Sequence, residues 1–520
     1  MSNKSSHQLH ELIHAMSRAE KRYFKLFSER HHTKEKKGYL QLFDEIGKQL
    51  NYDEEELLAS FEGQAIVQHF SLAKNRLYHL VLKALSAFHL QHSVNAELGQ
   101  LLHYAEILYQ KALYSQCEKV LQSAQKIAVR HENHGALLQI INRQKRLAER
   151  DHYESSKGST IENIHQREQK ALKKASLESE LWLSKSNIFF SLFNKGQVRD
   201  RKIAEQLFPE VENLALMVKV GPASFEAKYL AGHTRSAYFF ALGDYPNTHA
   251  QLVANLALLD DNFEKVKQEP EVLVGVLANL AYVSAKLNYF DQVDKYLQRS
   301  RALPSLLKER LTDHLEQTIF AHGHSRELAI CNLNGDVQRG MKVVNHLEKA
   351  LPKRDEQLSA VRKAGFYHGI STMYYLNGDT KSALRWNNLL LNEISVDRTE
   401  DQYCFALIFH LLLHYELNNA SVMPSALRSL ERYLDTRERK FKFEKTFVTF
   451  VKNSLNAIPS TKEQAPALAS FSKAIANIQD DPYEKTALEY FDFQSWAEAK
   501  LSNRPVTDVL KEKAPSRDLL

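Results

Sequence analysis

Glycine and proline are scarce in this chain, 17 and 12 among 520 residues, and Val/Ile/Thr alternation is thin. Sheets need turn residues and a period of two, so sandwiches and barrels are excluded and an all-α protein is expected. Cysteine is scarcer still. Cys117, Cys331 and Cys404 are odd in number, far apart and set in apolar helical patterns. That excludes a disulfide or zinc framework and predicts buried free thiols in a reducing compartment. No segment approaches about 18 uninterrupted apolar residues, and the N-terminal MSNKSSHQLHELIHAM lacks an apolar run of signal-peptide length. The expectation is a cytoplasmic protein with no membrane insertion. Charge of one sign is also lacking. A net +6 over 520 residues neither demands nor excludes an anionic partner. No GxxxxGK[ST], GxGxxG or GxSxG sequence occurs, so nothing suggests a phosphate cradle or a nucleophile elbow. We therefore expect no enzyme, no catalytic residue and no cofactor.

What is present is a recurring turn. Gly196 (LFNKGQV), Gly243 (FALGDYP), Asn288 (AKLNYFD), Gly335 (CNLNGDV), Gly378 (YLNGDTK) and Asn418 (YELNNAS) follow one another at intervals of 40 to 47 residues. Each separates an apolar helical pattern from an amphipathic one. In the stretch Leu273 to Pro304, Leu277, Leu280, Ala281 and Ser284 share one helical face. Asn288 then tolerates the left-handed conformation that ends a helix. Phe290, Val293, Tyr296, Leu297 and Ser300 mark a second helix, and Pro304 is expected to close it. Neither helix can bury its stripe alone, so the unit must be an antiparallel pair stacked on others.

This combination of small residue, aromatic, Gly-Asp or Asn turn and late proline resembles the tetratricopeptide repeat. The units around Asn288, Gly335 (closing at Pro352) and Gly378 (Ser371, Tyr374, Ala383, Leu390) carry the likeness best. Those around Gly243 and in YAEILYQKALYSQCEKV (Ala105, Leu108, Tyr114, Cys117) carry it too. The period exceeds the roughly 34 residues of the standard repeat, and the consensus Trp is missing. The resemblance implies a superhelix, an α-solenoid, of helical repeats over residues 93–455. An N-terminal helical cap (1–92) would precede it, and a C-terminal linker, capping helix and tail (456–520) would follow. It further implies an interaction scaffold that holds a protein or peptide partner on the first helix of each pair. Asn279, Tyr282, Arg326 and Tyr367 are the candidate partner-binding residues.

Local signals add detail. Ser17-Arg18-Ala19-Glu20 has capping-box spacing, and Asp53-Glu54-Glu55-Glu56 suits a first helical turn. Tyr153–Ser159 reads as an exposed loop, Ile161–Ala175 as a charged helix, and Gly221-Pro222 as a break. Ile458–Pro466 reads as a linker, Tyr483–Ser502 as the last helix, and Asn503–Leu520 as a frayed tail.

Three features point elsewhere. His10-Glu11-Leu12-Ile13-His14 matches HExxH, whose histidines would bind zinc with Glu11 as general base. No third ligand or aligning strand accompanies it, so an amphipathic helix is expected and no metal. His410 and His414 repeat the spacing in an apolar helix, where hydrogen-bonded core groups are the reading. The carboxylate pairs Asp260-Asp261 and Asp480-Asp481 read as caps. Basic residues alternate with aromatics over residues 18–37 and 432–452, which would suit phosphates and bases. Interrupting acids favour instead a solvated face over a buried aromatic one. The alternatives to the scaffold are a repeat-type regulator whose N-terminal region binds nucleic acid and, on HELIH alone, a zinc hydrolase.

Overall fold

The computed structural model describes residues 3–30, 36–90, 93–150, 158–195, 208, 211–214, 218, 223–307, 311–392, 401–437, 440–456, 461–479, 481 and 484–513. Among them there is no strand, and no helix is long and apolar enough to cross a membrane. The chain divides into two compact units, residues 1–171 and 172–520.

The first unit contains α1 (Asn3–Ala15), α2 (Arg18–Arg30), α3 (Lys36–Lys48) and α4 (Glu54–Ser60). A 3₁₀ turn at Ala65–His69 leads into α5 (Phe70–His89), α6 (Val94–Gln110), α7 (Tyr114–Arg130), α8 (His134–Arg150) and α9 (Gly158–Lys195), within which the unit ends. The capping box at α2 forms as spaced. The Ser17 amide donates to Glu20 Oε2 at 2.7 Å, and the Glu20 amide to Ser17 Oγ at 3.2 Å. Asp53 caps α4 by accepting from the amides of Glu55 and Glu56. Leu9, Ile13, Phe24, Phe43, Leu77 and Val81 form one core, and Leu98, Ala105, Cys117, Leu121 and Ile140 another.

In the second unit, α10 (Phe225–Ala241) pairs with α11 (Tyr245–Asp261). A single turn, α12 (Phe263–Val266), precedes the pair α13 (Glu271–Lys286) and α14 (Phe290–Leu307). Then come α15 (Asp313–Asn334) with α16 (Val337–Ala350), and α17 (Ala360–Leu376) with α18 (Thr380–Asn392). α13 packs on α15, α15 on α17, and α17 on α19 (Asp401–Glu416), so the helices pack in tandem. α20 (Met423–Thr436), α21 (Lys442–Asn456), α22 (Thr461–Gln479), α23 (Phe493–Leu501) and α24 (Val506–Lys513) complete the unit around Phe443, Phe447, Phe471 and Trp496.

The recurring turns share one geometry. Gly243, Asn288, Gly335, Gly378 and Asn418 all have positive φ, between 54° and 84°. After each, the next amide bonds back to a carbonyl in the preceding helix, as Asp244 does to Phe239 O at 2.9 Å and Tyr289 to Ser284 O at 2.8 Å. The Asp of Gly-Asp then caps the following helix: Asp244, Asp336 and Asp379 accept from the amides of Asn247, Arg339 and Ser382. One dipeptide thus ends a helix and starts its antiparallel partner. The Gly196 turn and the Gly221-Pro222 break lie outside the described residues.

Several local expectations are corrected. Pro304 does not close its helix, which runs on to Leu307 with Leu303 and Leu307 buried. A proline there forfeits one bond in the final turns, and burial of the two leucines outweighs it. Gly158 and Ser159 begin the helix α9 instead of belonging to a loop; residues 153–157 lie outside the described set. The linker reading fails for Thr461–Pro466, which open α22 because Leu468, Phe471 and Ile475 need a buried helix face. Tyr483–Ser502 is not one helix but a 3₁₀ turn, Lys485–Glu489, followed by α23, with Asp492 capping the latter by accepting from the Ser495 amide. The tail is not frayed over its length. Val506–Lys513 is helical, with Val509 and Leu510 buried and Leu510 Cβ seated 3.1 Å from where a side chain on Gly335 would begin.

Candidate functional site

Beyond its first turn, α13 is buried all round except for Gly275, Asn279, Tyr282 and Lys286. These recur at i, i+4, i+7 and i+11, one stripe of a helix. Its other faces are apolar because α11, α14 and α15 all pack on it. The open stripe is therefore where a polar helix face survives inside an otherwise saturated element.

Three of the four sequence-predicted partner-binding residues meet there. Arg326 on α15 donates from Nη2 to Asn279 Oδ1 at 3.1 Å, and its guanidinium carbon lies 5.0 Å from the Tyr282 ring centroid. Lys286 Nζ approaches the rings of Tyr282 and Tyr245 at 5.6 and 5.9 Å. The fourth residue, Tyr367 on α17, is not part of this group. Its ring packs 5.6 Å from Trp386 of its own pair partner, α18.

Sequence reasoning missed His322 and Arg362. Arg362 Nη2 lies 3.4 Å from His322 Nε2, linking α17 to α15. Burial, then Arg326 and Arg362, push the His322 imidazole down to about 4, so it is neutral at neutral pH. Burial also lowers the guanidinium pKa of Arg326 and of Arg362. A signal was available: neither arginine, nor Lys286, has an acid at i±3 or i±4. The arrangement presents donors and ring faces without a nucleophile beside a base, so it suits binding.

The other candidates are placed differently. His10 Nε2 donates to Gln49 O at 3.0 Å and His14 Nε2 to Ile46 O at 3.3 Å. Both histidines of HELIH thereby satisfy carbonyls at the end of α3, and Glu11 is exposed. His410 and His414 bond to each other, Nε2 to Nε2 at 3.2 Å, while Asn419 Nδ2 donates to His414 Nδ1 at 2.9 Å. Burial, then His414, push His410 down to about 4. Among the described residues, no three His, Cys, Asp or Glu side chains converge as a metal-holding group. Asp260 is a partner of Arg299 on the next helix pair, not a cap. Asp481 pairs with Lys442 and also accepts from the Glu484 amide at 3.3 Å, as a cap would; Asp480 lies outside the described residues.

In the basic-aromatic stretches the rings are buried or half-buried. Phe24, Phe443, Phe447 and Phe450 are buried. Lys25 pairs with Asp44 at 2.7 Å and Lys452 with Glu431 at 2.7 Å. The three cysteines are buried, and none forms a disulfide.

The fold thus defines an all-α chain with helix pairs packed in tandem. No protein-family model, curated protein or solved structure matches it.

Proposed function

We propose that residues 93–455 are a tetratricopeptide-like superhelix and that the protein is a non-enzymatic cytoplasmic scaffold. It binds a peptide or protein partner across the first helices of successive pairs. The observation that carries this reading is the α13 stripe, the one face of a saturated helix left to polar residues, joined to Arg326 of the next first helix. Its side chains offer an amide, one tyrosine ring with two cations beside it, and a guanidinium. These recognise extended peptide through backbone hydrogen bonds and apolar side chains. Stacked pairs would extend that surface well beyond what a compact domain exposes.

The test is affinity capture with the full chain, compared with a variant carrying Asn279→Ala, Tyr282→Ala and Arg326→Gln. Partners identified by mass spectrometry should be lost from the variant while its far-UV spectrum stays helical. Partners that all persist would move the binding surface elsewhere.

A further inference from the structure

Among the described residues, two guanidiniums on neighbouring helices of the second unit have no counter-charge. Arg326 and Arg362 are half-buried, and among the described residues neither meets a carboxylate within ion-pair distance. The bases around them do. Arg339 bonds Glu327 at 2.8 Å and Asp294 at 3.0 Å, and Lys363 bonds Asp355 at 2.6 Å. Arg326 Nε is moreover buried with no hydrogen-bond partner. A desolvated cation with an idle donor is costly unless an anion joins it. The helix faces around it are uncrowded: apart from its chain neighbours and its own helical backbone, a Cβ built on Gly323, between His322 and Arg326 in sequence, or on Gly275 would meet nothing within 4 Å.

We infer that Arg326, Arg362 and His322 seat a phosphate ester borne on a side chain of a peptide partner. Charge decides the ligand class. A phosphate monoester carries roughly −1.5 to −2 at neutral pH and neutralises both arginines, whereas one carboxylate neutralises only one. The forked guanidinium donors match phosphate oxygens. Neutral His322 adds a donor or acceptor without opposing the charge. A nucleic-acid strand would call for a track of such seats. Here the neighbouring surface is Asn279 and Tyr282, groups suited to peptide backbone and side chains. The peptide part of this inference rests on the scaffold reading; the anion part does not.

The experiment titrates the full-length chain calorimetrically with Gly-Ala-phosphoserine-Ala-Gly. Its serine and glutamate counterparts, inorganic phosphate and a single-stranded oligothymidylate are run in parallel. The phosphopeptide should bind at least about tenfold more tightly than the glutamate peptide and than inorganic phosphate, with no heat from the serine form. Arg326→Gln and Arg362→Gln should each weaken it by about tenfold or more. Equal binding of the glutamate peptide makes this a carboxylate site, and equal binding of inorganic phosphate makes it a small-anion site. Oligothymidylate binding abolished by the same substitutions makes it a nucleic-acid site. Each of these results overturns the inference, as does a phosphopeptide that fails to bind. The selectivity series uses unaltered protein, so a variant that misfolds leaves the test intact. Captured partners that survive both arginine changes and phosphatase treatment overturn the phosphate seat and keep the scaffold. Selective phosphopeptide binding with no captured partner keeps the seat and counts against the scaffold.

Discussion

The indole Nε1 of Trp496 donates to Glu416 Oε1 at 2.6 Å, across 80 residues of sequence. The same carboxylate accepts from Tyr375 OH at 3.1 Å and from Lys500. Two helices, α17 and α23, therefore meet on one acid of α19. Trp496→Phe removes a donor from a charged acceptor and should cost about 1.5–3 kcal/mol of stability. Urea unfolding followed by circular dichroism measures it. An unchanged midpoint would mean that water replaces the indole without loss.

Acid should destabilise the second unit in two separate windows. Burial pushes the Glu327 carboxyl up, but hydrogen bonds from Arg301 and Arg339 outweigh it and hold the group below its ordinary range. A depressed carboxylate contributes stability that is present above the unfolded value, about 4.3, and is lost as pH falls through the folded one. His322 and His410 are depressed from 6.5 to about 4. The unfolded chain takes up protons at these sites first, so their contribution is full above 6.5 and drains away down to about 4. Unfolding midpoints recorded against pH should fall over both ranges. His410→Gln should flatten the upper one, and Glu327→Gln the lower.

The left-handed turns give a stabilising pair of changes. Ala112 has φ 59° between α6 and α7, and Asn288 has φ 62°. Alanine is strained there by about 1–2 kcal/mol, asparagine less. Ala112→Gly should gain about 0.5–1 kcal/mol after the added unfolded-state entropy, and Asn288→Gly less. Equilibrium denaturation checks the order of the two gains.

Those turns also mark how far the sequence could be read. Gly243, Gly335 and Gly378 were legible because a positive φ demands particular residue chemistry, and Asp after Gly announces the next helix. Ala112 makes the same turn without that signature. There the bond from the Leu113 amide to Leu108 O, at 2.9 Å, holds a residue that has no preference for the conformation. The helix α24 was illegible for another reason: its order comes from seating Leu510 on the Gly335 turn, a contact no local window contains. At the candidate site, Asn279, Tyr282 and Arg326 were found from the repeat register. Arg362 was not singled out because its only sequence mark is the lack of an acid at helical spacing, a negative signal that a search for motifs passes over.

Ala281→Arg should disrupt the middle of the second unit. Ala281 is wholly buried where α13 meets its neighbours, and a guanidinium there adds bulk and an unpaired charge, a cost of several kcal/mol, about 3–5. Thermal denaturation should show a large drop or an early partial transition. Unchanged stability would place Ala281 off the helix crossing.

The HELIH histidines should prove structural. Changing His10 and His14 together to Ala strips donors from Ile46 O and Gln49 O and should cost about 1–2 kcal/mol while the helical spectrum remains. Metal analysis of purified protein should find no stoichiometric zinc. One tightly held zinc per chain, lost in the double variant, would reinstate the metal reading.

The chain doubles back at its end. His368 Nε2 donates to Tyr490 O at 2.9 Å across 122 residues, and α24 rests against the Gly335 turn. Those contacts join segments that successive pairing would leave apart. The second unit therefore has a direction of unravelling. Amides of α10 and α11, whose main packing partners among the described residues are elements near in the chain, should exchange with deuterium through small local openings. Those of α17, α19 and α23 should exchange only when the whole clasped end lets go. A protease acting on partly opened molecules would accordingly leave a C-terminal remnant, and removing residues 484–513 would erase the difference between the two ends.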